Sequence, residues 1–352
     1  MQHGQIARIR AAASSPWLRV AGTLAGAAML VHTVDWNGAA RSLGHADPLL
    51  MIGALGLTCL AVAASVVEWG VLLRTAPVTS GGQRHSVLAW RRLSSSYLQS
   101  LFFTQIVPAG VGGDAMRAVD MGHSVGHGRL FASLAGSRMA GMLGMACWGL
   151  AGAIILRTWL GNGIMAGAAI LAGVIMITWG GALSADFLVP RRLLASGSWI
   201  VRKAVNALHS LAEAFASYRS HPHAVAQCLL VGAAGWGVNL LALEFAAKAI
   251  GVDLSWTVLA IAIPLTLLAA LAPFSVNGLG VREGVLIGLL THAGVSSGHA
   301  GALSLLIDLQ MVPFAVLGAF LWMRRRRRVA ATHQVEEEAL PPLQTAAATL
   351  PL

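Results

Sequence analysis

Six apolar runs of 18 to 27 residues recur along this chain, at 17–34, 49–73, 130–156, 163–188, 224–250 and 300–323. About 20 apolar residues in helical form cross the hydrocarbon core of a bilayer. Backbone polar groups inside that core must be satisfied within the segment, so the runs read as spanning helices. Composition agrees: 56% of residues are hydrophobic and 11% charged, against about 25% charged in a soluble domain. The expected fold class is all-α, a polytopic membrane helix bundle.

Between the runs lies a stretch written twice. Pro108 precedes Arg117 by nine positions, with Gly110, Gly112 and Gly113 between them. Pro273 precedes Arg282 by the same nine, with Gly278 and Gly280 between them. Gly113 and Gly278 share one offset from their prolines. Each arginine has an acidic neighbour, Asp114 three residues before Arg117 and Glu283 one after Arg282. Proline and glycine interrupt helices, and such interruptions at membrane depth line cavities or are buried in protein. Corresponding interruptions in two halves point to a transporter's site at an inverted repeat. Two re-entrant elements are therefore expected beside about six full spans. The apolar segment 93–107 that leads into the first stretch supports this: as a helix it is about 22 Å long, short of the ~30 Å core.

Charge sets the topology. The net charge is +10, and the basic residues sit in short loops and in the run Arg324 to Arg328. Basic loops favour the cytoplasmic face, so the simplest partner for this charge is an anionic membrane surface, with no nucleic acid. Both termini are then cytoplasmic. The chain divides into a membrane domain, 1–328, with halves 17–188 and 224–323, and a disordered cytoplasmic tail, 329–352. A basic amphipathic segment, 189–223, links the halves along the inner leaflet. Glu68 lies near the inner end of its run, where an interfacial pair with arginine is the ordinary reading.

Arg117 and Arg282 are the leading candidates for function. A guanidinium presents a planar fork of donors that fits phosphate oxygens. Backbone N–H groups freed at the breaks, around Gly112, Gly113, Asn277, Gly278 and Gly280, would add anion affinity. The competing reading pairs Arg117 with Asp114 or Asp120, and Arg282 with Glu283 or Asp308, to brace the hairpins. Arg138 and Asp308 lie inside spans, where a charge faces a cavity or a partner. Together with Asp114 and Glu283 they would line a polar path, and an Arg138–Asp308 pair is expected. His123 and His127 are four apart, but the surrounding glycines argue against a rigid metal site. The three cysteines suggest packing residues. No metal and no cofactor is expected. Neither a phosphate-binding loop nor a hydrolase or zinc-protease motif occurs, so the chain reads as no enzyme.

The run from Ser100 to Arg117, SLFFTQIVPAGVGGDAMR, resembles the first signature of the lysylphosphatidylglycerol synthase transmembrane, or flippase-like, family. Pro273 to Glu283, PFSVNGLGVRE, resembles the second signature. Ser137-Arg138 resembles the family's arginine-bearing segment, with serine where an acidic residue is expected. The resemblance runs from about Leu49 to Met323. It implies a multi-span inner-membrane protein that moves or handles lipids. In the full synthases an aminoacyl-transferase domain follows this module; the chain ends soon after Arg328, and no aminoacyl transfer is expected of it. The resulting expectation is a flippase-like protein that translocates an anionic phospholipid or a lipid-linked intermediate, with Arg117 and Arg282 engaging the head group from opposite sides. The alternatives are a membrane-embedded lipid-modifying transferase, or an accessory scaffold partnered with a lipid-modifying enzyme.

Overall fold

The computed structural model describes residues 34–75, 89–106, 112–156, 218–270 and 280–339, with Ala28, Val31, His32 and Ala216. The runs at 17–34 and 163–188 and the segment 189–223 fall largely or wholly outside these residues. So do the tips of both Pro/Gly stretches, including Asn277 and Gly278.

The described residues form helices and no strand. In the first half these are α1 (Trp36–Gly44), α2 (Pro48–Thr75), α3 (Trp90–Ile106), α4 (Gly112–Val125) and α5 (His127–Ile155). The second half has α6 (Pro222–Ala249), α7 (Trp256–Ala270), α8 (Val281–His292), α9 (Ser297–Leu309) and α10 (Val312–Ala339). Among them, α2, α5, α6 and the stretch Ser297–Arg327 are long and apolar enough to cross a membrane. Their outward side chains suit lipid: Leu49, Ile52, Leu60, Leu230, Val316 and Phe320 are all exposed. The last span bends at Gln310 and Met311, just before Pro313, whose missing N–H is tolerated in a first helical turn.

Both halves follow the same order: a long helix, two short helices flanking a Pro/Gly stretch, then a long segment. The two long first helices, α2 and α6, form the most extensive helix–helix contact in the molecule. They run antiparallel. Asp47 N–H donates to Ala249 C=O at 2.8 Å, Gly53 lies against Phe245, Gly235 against Ala64, and Gly232 against Glu68. Equivalent helices of opposite direction are what an inverted repeat requires. The halves also exchange partners. The span α5 packs on α6 and α7, and α10 packs on α3.

Small residues make these crossings possible, because lipid supplies no hydrophobic drive between helices and close backbone approach must supply contact instead. A Cβ on Gly144 of α5 would stand 2.9 Å from the Ala233 backbone, and one on Gly152 would stand 2.8 Å from Thr257 C=O. Indole donors add cross-links: Trp148 Nε1 donates to Ala233 C=O at 2.7 Å, and Trp69 Nε1 to Ser133 Oγ at 3.2 Å.

The described arms of each Pro/Gly stretch pack on one another, α3 on α4 and α7 on α8. Gly113 lets α4 close on α3, since a Cβ there would lie 2.8 Å from Ser100 C=O. One boundary differs from the sequence reading. The helix α10 continues through Ala339, beyond residue 329, the start of the tail expected to be disordered. Ala and Glu, abundant there, are strong helix formers.

Candidate functional site

The first Pro/Gly stretch delivers Asp114 and Arg117 on one face of the first turns of α4. Arg117 Nη2 donates to Asp114 Oδ1 at 2.7 Å. The other oxygen, Asp114 Oδ2, lies 2.7 Å from Arg138 Nη2 on α5. One carboxylate thus bridges two guanidiniums, leaving the trio a net charge of +1. Arg117 is buried, with its guanidinium carbon 5.0 Å from the Trp69 ring centroid and 5.1 Å from that of Tyr97. Both distances fall within cation–π range. Its Nε is buried without a hydrogen-bond partner. An unmet donor on a buried cation is an expensive feature, and one that a ligand acceptor would satisfy.

Arg117 and Arg138 open onto a cavity of about 440 Å³ between the two halves. Its wall comes from α2 (Thr58, Ser65, Glu68), α3 (Tyr97, Ser100, Thr104), α5 (Ser137, Arg138, Gly141) and α6 (Gly232, Trp236, Asn239), with Met311 at the bend of the last span. Thr58 Oγ1 donates to Gln310 Oε1 at 3.0 Å, tying α2 to that bend. The volume lies in the range of sites that hold small molecules or head groups.

The second stretch is arranged differently. Arg282 Nη2 bonds to Glu283 Oε1 at 2.9 Å and to Asp308 on α9. Glu283 Oε2 accepts from Gly280 N–H at 2.6 Å and so caps α8. Gly280 holds φ +83°, a left-handed conformation that suits glycine. Arg282, Glu283 and Asp308 do not line the cavity. The expected Arg138–Asp308 pair is therefore corrected: Arg138 takes Asp114, and Asp308 takes Arg282. Of the two readings for Arg282, the structure displays the bracing contacts. Arg117 combines both readings, paired with Asp114 and facing the cavity.

Gly112 and Gly113 sit buried in the first turn of α4. Asp120, the other weighed partner of Arg117, pairs instead with Arg325 of the arginine run. His123 and His127 meet ring to ring with centroids 5.1 Å apart. Among the described residues no group of three or more His, Cys, Asp or Glu could hold a metal ion.

Sequence reasoning missed several cavity residues, Glu68 as a lining group and Tyr97, Trp236 and Asn239, and missed Trp69 as a ring behind Arg117. A carboxylate inside an apolar run was the available signal for Glu68. No Glu68 ion pair occurs among the described residues, which corrects its reading as an interfacial partner of arginine.

Residues 17–319 match the family model described as Lysylphosphatidylglycerol synthase TM region. Neither a curated protein nor a solved structure matches the chain.

Proposed function

We propose, from the premise that this chain belongs to the lysylphosphatidylglycerol synthase TM-region family, that it carries an anionic phospholipid or lipid-linked intermediate between leaflets. The family is tied to lipid handling in membranes, and translocation is the finer reading offered here. The observation that carries it is Arg117: a buried guanidinium on a cavity wall, with Nε unmet and Arg138 close by through a shared carboxylate. A phosphate diester would supply the missing acceptor and the balancing charge. The acyl chains would stay in the bilayer while the head group occupies the cavity. Arg282 is assigned a bracing role for the second hairpin, and Asp308 and Glu283 are its anchors. On this reading the protein is a carrier and performs no covalent step. The basic loops and arginine run support an inner-membrane location with cytoplasmic termini and an anionic lipid surface as partner.

Proteoliposomes test this directly. Tail-labelled phosphatidylglycerol and phosphatidylcholine are followed between leaflets by quenching of the outer pool. Faster exchange of phosphatidylglycerol with wild-type protein, lost by at least about tenfold in Arg117→Ala, is expected; a tenfold loss corresponds to ~1.4 kcal/mol. Equal exchange in both proteins would remove the assignment.

A further inference from the structure

Glu68 stands in the same cavity and is unused by the reading above. It is 7% exposed, and packing fixes its carboxyl group between two helices. A Cβ on Gly232 of α6 would lie 3.3 Å from Glu68 Oε2, and one on Gly141 of α5 would lie 3.7 Å from Oε1. A side chain at 232 would press directly on the carboxyl group.

The ionisable groups that face Glu68 come from every element around it. Tyr97 comes from α3, Arg117 from α4, Arg138 from α5 and Cys228 from α6, with Asp114 behind the two arginines as their shared partner. None of them forms an ion pair with it. Its charge therefore acts on the cavity as a whole. With Glu68 ionised, two arginines are balanced by two carboxylates and the cavity is neutral. With Glu68 protonated, the cavity carries +1.

We infer that Glu68 is a proton-binding site coupled to the head-group site, so that one proton enters the cavity with each monoanionic head group. This rests on the head-group reading of Arg117. A phosphate diester brings one negative charge. The neutral cavity becomes a net anion on admitting it and sets it against a second anion across a space of low dielectric. The +1 cavity accepts it to give a neutral complex. Over a cavity of this size, at an effective dielectric of about 20, like-charge repulsion corresponds to roughly tenfold or more in affinity. The proton comes from water and binds a Glu68 carboxylate oxygen; no covalent bond to the lipid changes. Transfer of the loaded cavity then moves no net charge across the bilayer, and a proton gradient becomes a source of direction.

The test uses purified full-length protein in weakly buffered detergent, titrated with short-chain phosphatidylglycerol between pH 5 and 9. Proton uptake is read from an indicator dye and lipid binding from tryptophan fluorescence, with phosphatidylcholine as the neutral control. Wild type is expected to take up about one proton per phosphatidylglycerol bound on the alkaline side of the Glu68 titration. Its affinity there should fall up to about tenfold per pH unit, as linkage requires. Glu68→Gln, a neutral group of the same shape, should take up none and hold the low-pH affinity at every pH. Wild-type binding without uptake, or uptake retained in Glu68→Gln, overturns the inference and leaves the head-group reading standing. No saturable binding by wild type, or binding undiminished in Arg117→Ala, overturns both.

Discussion

Arg282 on α8 is bonded to Asp308 on α9, 26 residues away, and this pair fastens the second hairpin to the last span. The first hairpin is arranged otherwise, with its arginine turned onto the cavity. The two helix pairs are thus alike in their order and unlike in their charges. Asp308→Asn should lower stability by ~1–2 kcal/mol, the scale of a charge-assisted hydrogen bond that is partly exposed. The double exchange Arg282→Asp with Asp308→Arg should recover part of the loss. Thermal unfolding in detergent measures both, and a double variant no better than either single would show that the pair does not fasten the hairpin.

Arg117→Lys separates charge from shape. Lysine keeps the positive charge but presents a compact ammonium in place of the planar fork held between Trp69 and Tyr97. If stacking and two-point phosphate contact matter, the lysine variant should lose leaflet exchange by about tenfold or more, close to the alanine variant. That loss equals ~1.4 kcal/mol. Exchange within about twofold of wild type would leave only a point-charge role.

Several of these features were legible in the sequence because they depend on local spacing. Apolar runs located α2, α5, α6 and the last span, and the twice-written stretch located the packed pairs α3 with α4 and α7 with α8. The Arg117–Asp114 contact spans three residues of one helix, so α-helical geometry alone brings the two together. Partners chosen across helices were not legible. Asp308 and Arg138 lie at similar depth in their runs, yet depth does not say which neighbour each faces, and both pair elsewhere. Glu68 illustrates the same limit. Hydropathy placed it near a span end, whereas its direction is set by the α2–α6 crossing, which only the folded chain defines. The grip of Trp69 and Tyr97 on Arg117 joins three helices and leaves no periodic trace.

The crossing of α5 and α6 supplies a further check. Gly144 has backbone of Gly232 and Ala233 within 3.1 Å of where a Cβ would stand, and backbone cannot swing aside as a side chain can. Gly144→Ala should destabilise by ~1–3 kcal/mol, the usual cost of overpacking. Gly56 on α2 has nothing within 4 Å of that position. Gly56→Ala should be neutral or stabilising by ~0.5–1 kcal/mol, since alanine loses less backbone freedom in a helix. Unfolding curves that do not separate the two variants would contradict the close approach.

The pair Asp120–Arg325 gives the arginine run a specific role. Asp120 lies on α4, directly below the cavity arginine in the same helix, and its side chain is only 2% exposed. Arg325 comes from the far end of the other half. Nearby, Gly318 packs on the Leu98 backbone, and Trp322 meets Phe102 and Phe103 with ring centroids 6.3 and 5.5 Å apart. The end of α10 therefore straps the first hairpin from outside the cavity. Removing one member of a pair strands the other charge, and Asp120 is the enclosed member, so Arg325→Ala should cost more than Asp120→Asn. A cysteine pair at these two positions, in a background with the three native cysteines replaced, should be joined by a short bis-thiosulfonate reagent, which spans the reach of the arginine side chain through two reducible disulfides. If the strap must loosen for the head group to pass, that cross-link should lower leaflet exchange at least several-fold, and reduction should restore it. Full exchange in the cross-linked protein would mean that the hairpin and α10 move as one body.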